Sequence, residues 1–68
     1  MTAIAARTCR VLEAMALGLT IQEVAGRLDM SIDEVRRRLA DAIGSLGASS
    51  RLDAIMTAAR RGLIDLPR

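Results

Sequence analysis

Thr20-Ile21-Gln22-Glu23-Val24-Ala25-Gly26-Arg27-Leu28-Asp29-Met30-Ser31-Ile32-Asp33-Glu34-Val35-Arg36-Arg37-Arg38 is the stretch that decides the fold. It contains two capping boxes, Thr20-x-x-Glu23 and Ser31-x-x-Glu34. In such a box a hydroxyl accepts from the amide three residues on, and the carboxylate there reaches back to the N-cap amide. Two helices therefore start eleven residues apart. The first holds about two turns before Asp29-Met30-Ser31 breaks it. A helix that short is marginal alone and has to be held by packing against its neighbour. The pattern is a helix-turn-helix, and its second helix carries an arginine triplet in its first turns. The common use of that geometry is to place a helix in the DNA major groove.

Outward from this core the spacing of apolar residues predicts two more helices and a single domain over residues 1–68, all-α in class. Residues 3 to 17 set Ile4, Val11, Leu12 and Met15 on one face, with Gly18 as the stop. Ile21, Val24, Ala25 and Leu28 form the stripe of a helix over 21 to 28. Ile32, Val35, Leu39, Ala42, Ile43 and Leu46 form that of a helix over 32 to 46, ended by Gly47 in a left-handed cap position. Ser50-Arg51-Leu52-Asp53 opens a fourth helix, 51 to 61, with Leu52, Ile55, Met56 and Ala59 aligned and Leu63 beyond Gly62. The opposite side of this helix, Ala54, Thr57, Ala58 and Arg61, reads as an exposed small-residue surface suited to a second copy.

Composition removes most other classes. The chain has 68 residues and no Phe, Tyr or Trp, so its core must be aliphatic and tightly packed. One cysteine, Cys9, allows no internal disulfide and reads as a small hydrophobe in the first helix, consistent with a reducing cytoplasm. The longest apolar run, Ala14 to Leu19, is far short of the roughly 20 residues of a membrane helix. Met1 to Arg7 lacks the basic-then-apolar order of a signal peptide. There is no His or Lys, and the eight carboxylates are dispersed. Neither an imidazole base, a P-loop lysine nor a metal-ligand cluster is available, and no enzyme activity, metal or cofactor is expected.

All ten basic residues are arginine, whose planar fork suits phosphates and guanine edges, although the net charge is only +2. With Val35 pointing inward at 100° per residue, Asp33, Arg37, Ala40 and Gly44 point outward, Arg36 and Asp41 lie on the shoulders, and Arg38 falls nearer the buried boundary. The outward strip is thin, and Ala40 and Gly44 allow a close approach while Arg36 and Arg37 supply reach. On these residues alone, the triplet serves equally well as a solvated helix face paired with Asp33, Glu34 or Asp41.

Residues 4 to 64 resemble the LuxR/FixJ-type (GerE-like) helix-turn-helix domain. The resemblance rests on Val11-Leu12, Ala16-Leu17-Gly18-Leu19-Thr20, Glu23-Val24-Ala25-x-x-Leu28, Ser31-x-x-Glu34-Val35-Arg36-x-Arg38 and Leu46-Gly47 in order, with Arg51 in register. It implies a four-helix domain and a sequence-specific, double-stranded DNA-binding transcriptional regulator that docks as a homodimer through its fourth helix. By the same resemblance Asp33, Arg36, Arg37 and Ala40 face the groove, and Arg38, Thr20, Gln22 and Arg51 join the DNA-binding set. A regulatory domain and RNA polymerase are the further partners to consider. The chain departs from the pattern at Ile21-Gln22, where many members have Asn-Lys, and at Ser45, where they have Lys. It also departs at Glu34, a Thr in the family, at Thr8, an acidic residue there, and at Ala5, usually a capping Thr. As a helix-start residue Glu34 is expected to fold back onto the Ser31 amide. The alternative function is a degenerate helix-turn-helix kept for protein contact or dimerisation.

Overall fold

Every helix but the first begins on a side chain that caps it. A computed structural model describes residues 4–66, and among them the chain forms α1 (Ala6–Ala16), α2 (Ile21–Leu28), α3 (Ile32–Leu46) and α4 (Arg51–Arg60), with no strand. Thr20 Oγ1 accepts from the Glu23 amide at 3.1 Å, Ser31 Oγ from Glu34 at 3.0 Å and Ser50 Oγ from Asp53 at 3.1 Å. Ala5 has no side-chain oxygen, and α1 starts uncapped at Ala6. The helix expected from residue 3 is therefore shorter. Ile4 and Ala5 lie outside it, and Ala3 is outside the described residues. Likewise α4 ends at Arg60, one residue before the expected boundary.

The turn between α2 and α3 is as tight as the sequence demands. Asp29 takes the left-handed conformation at φ 56°, which a short polar side chain tolerates better than most, and the Met30 amide then closes onto the Ala25 carbonyl at 2.9 Å. Gly47 ends α3 in the same way, at φ 63°.

α3 packs against all three other helices, whereas α2 and α4 do not touch and flank the α1–α3 pair. Val11, Leu12, Val24 and Val35 are fully buried at the centre, and Leu39, Leu46, Ile55 and Ile64 extend the core. Ile64 lies beyond α4. It is carried back to α1 by a chain reversal at Gly62 and by a hydrogen bond from the Asp65 amide to Glu13 Oε2 at 3.3 Å. Cys9 is half-buried against this core, and burial followed by the Glu13 charge pushes its thiol pKa up, away from thiolate chemistry.

The fourth helix is turned relative to the expectation. Ala54 and Ala58 are 0% exposed and Thr57 is also buried, so of the expected dimer surface only Arg61 is exposed. Leu52, assigned to the core, is 68% exposed, and Met56 is exposed beside it. The physical reason is steric. Ala54 and Ala58, one turn apart, bring α4 closer to α1 and α3 than Leu52 and Met56 would, and closer packing gains dispersion contacts. Ile32, expected in the core, is likewise exposed at the first turn of α3.

Candidate nucleic-acid interface

α3 presents its charges in two groups that behave differently. Asp33, Arg36, Arg37, Ala40, Asp41 and Gly44 are all exposed, as the projection from Val35 expects. Neither Arg36 nor Arg37 forms an ion pair or hydrogen bond with any described residue, and the same is true of Asp33 and Asp41. These four ionic groups stand free on the outside of the domain. Ala40, Asp41, Gly44 and Ser45 continue the strip into a shallow groove whose other wall is Ile4, Ala5 and Thr8 at the start of α1. A Cβ added at Gly44 would meet nothing within 4 Å, so the helix surface there is open.

Arg38 belongs to the second group. It was expected among the DNA-facing residues, but its guanidinium is drawn inward against α1. Nη1 donates to the buried Thr8 hydroxyl at 3.5 Å, and Nη2 meets Glu34 Oε2 at 3.4 Å. Its Nε is buried with no hydrogen-bond partner among the described residues. Arg7 Nη1 approaches the same Glu34 oxygen from α1 at 3.7 Å. Glu34 therefore does not close the expected box on Ser31. Its carboxylate lies between two guanidiniums, which bring positive charge from both sides where the box would offer a single backbone amide. Across the α1–α3 contact the Thr8 hydroxyl and the Glu34 carboxylate thus flank the Arg38 guanidinium.

At the N-terminus of α2 the expected box is complete. The Thr20 amide donates to Glu23 Oε1 at 2.9 Å, and this bond, with a second from the Thr20 side chain, holds the Glu23 carboxyl below its ordinary pKa. Thr20 and Gln22 are exposed at this helix end, where the amides of Ile21 and Gln22, outside the box, and the helix dipole face a phosphate while the Glu23 carboxylate opposes it. Arg51, the first residue of α4, is exposed too. Arg7 and Arg10 on α1, which could equally touch phosphate or solvate a helix face, line a surface depression between α1 and α2 together with Arg27, Leu28 and Asp29, and Glu13 joins Arg10 and Arg27 in the depression beside it. Arg7 and Arg10 share a helix face by their i, i+3 spacing, and the α1–α2 packing adds Arg27 to them.

No protein-family model and no curated protein matches the chain. A solved structure described as that of the transcription factor GerE is similar over 98% of this chain and 100% of its own, with a TM-score of 0.91 and 22% sequence identity. At that identity the likeness defines the fold: this is a GerE-like, all-α helix-turn-helix domain.

Proposed function

We propose that this domain is a transcriptional regulator that binds double-stranded DNA with α3 in the major groove, the N-terminus of α2 against the backbone, and Arg51 in support. The observation that carries the reading is the free, outward-facing pair Arg36 and Arg37 beside the small residues Ala40 and Gly44. Guanidiniums without an intramolecular partner break no internal bond when they meet phosphates or base edges, and small neighbours let the helix approach closely. With a net charge of +2, affinity has to come from this local cluster and fall steeply with salt.

Two copies associate through α4. The face available is Leu52 and Met56, flanked by Leu66 and by Ala16 and Gly18 at the end of α1, in place of the buried alanines. The patch is small, so pairing is weak in free solution and strengthens on DNA with two half-sites.

Mobility shift of duplex DNA over a salt series tests the reading. The wild-type domain retards duplex at low salt, and the Arg36→Ala, Arg37→Ala double variant, still folded by circular dichroism, does not. Equal retardation by the folded double variant rejects the groove assignment. A wild-type domain that retards no duplex leaves the protein-contact function.

A further inference from the structure

We infer that α3 reads guanine·cytosine pairs, with Arg36 and Arg37 on guanines and Asp33 on a cytosine. The inference rests on the DNA-binding reading and names the sequence class that such a surface selects. Three observations lead to it.

The first is which groups are free. Arg38 and Glu34 are tied to each other and to α1, so neither is available for base contact, while Arg36, Arg37 and Asp33 have no partner among the described residues. The second is what those groups can recognise. A guanidinium fork matches the paired O6 and N7 acceptors of guanine, whereas adenine presents a donor beside an acceptor and is matched by Asn or Gln. The chain has no Asn at all, and its one Gln, Gln22, is on α2. The exposed strip of α3 therefore carries no bidentate match to an adenine edge, and its one hydroxyl, Ser45, is near the far end of the helix. The third is Asp33. In the first turn of α3 its carboxylate is favoured by the helix dipole, but on a DNA surface it is repelled by phosphate unless it lies opposite a donor. Cytosine N4 supplies one without the adjacent acceptor that adenine N7 would present. Asp33 and Arg37 lie four residues apart on one side of α3, about 6 Å along its axis. At about 3.4 Å per base pair along the DNA axis, that separation is between one and two steps for a helix that follows the inclined groove. Asp33 and Arg37 thus address different base pairs of one half-site.

Selection from a random duplex pool tests this, run in parallel with the wild type and with Arg36→Ala, Arg37→Ala and Asp33→Ala, each checked for folding by circular dichroism. The wild type is expected to enrich a motif containing guanines. Each arginine variant loses the guanine preference at one position by about 5- to 150-fold, and Asp33→Ala relaxes one cytosine. An enriched motif made of A·T pairs overturns the inference, as does a guanine preference that survives both arginine substitutions. Retardation of all duplexes with no enrichment overturns it too and leaves the DNA-binding reading standing. Failure to retard any duplex at low salt removes both.

Discussion

Replacing Arg38 by alanine separates the fold from the interface. Its side chain is 26% exposed, and its two hydrogen bonds, 3.4 Å to Glu34 and 3.5 Å to Thr8, are both long. An exposed pair contributes about 0.2–1 kcal/mol, and breaking a fully buried one costs about 3–5 kcal/mol. The exposure and the long distances place Arg38 near the lower figure. Its loss also leaves the Thr8 hydroxyl, 4% exposed, without this donor. That hydroxyl can turn to a carbonyl of its own helix, so the added cost lies at the low end of about 1–3 kcal/mol. The sum is about 1–2 kcal/mol, and in a domain of this size about 5–15 °C of melting temperature. At roughly 0.05–0.15 kcal/mol per residue the wild type has about 3–10 kcal/mol in hand, so the variant stays mostly folded at low temperature. Thermal melts by circular dichroism should show the drop, while DNA affinity below the transition stays within about twofold of wild type. Arg37→Ala should do the reverse, keeping the melting temperature and losing affinity. An Arg38→Ala variant that melts like wild type yet binds DNA tenfold more weakly would refute the placement of this side chain.

Four further outcomes are expected. Thr20→Ala, which removes the cap of α2, should cost about 1–2 kcal/mol by denaturant titration. The Glu23 pKa is depressed in the folded state, so its contribution is fully present above the unfolded pKa and disappears as pH falls through the folded one; the stability gap between wild type and Glu23→Gln should close on acidification, and a gap constant with pH would contradict the bond to the Thr20 amide. Gly26→Ala and Gly44→Ala, at helical positions where a methyl meets nothing, should each stabilise by about 0.5–1 kcal/mol, and Gly44→Ala should also weaken DNA binding if α3 approaches closely there. Ala58→Leu should destabilise by about 1–3 kcal/mol through overpacking, whereas Leu52→Glu should leave monomer stability nearly unchanged and reduce two-copy occupancy of a two-half-site duplex in sedimentation.

Local chemistry marked where the capped helices begin. A hydroxyl three residues ahead of a carboxylate, a glycine able to turn left-handed and an apolar residue every third or fourth position act within one helix. The starts at Ile21, Ile32 and Arg51, the stop at Gly47 and the outward strip of α3 were therefore legible. Between helices the same rules run out. Glu23 and Glu34 each have an arginine four residues on, Arg27 and Arg38, yet Glu23 closes its box and Glu34 does not. The difference is α1, which brings Arg7 to the Glu34 carboxylate and Thr8 to the Arg38 guanidinium. α4 differs for a related reason: the helical spacing of Leu52, Ile55, Met56 and Ala59 put Leu52 and Met56 inside, but how close two helices come is set by the smallest side chains between them. That distance belongs to the packed domain, so only the tertiary structure decided that Ala54 and Ala58 fill the core and that Leu52 and Met56 face outward.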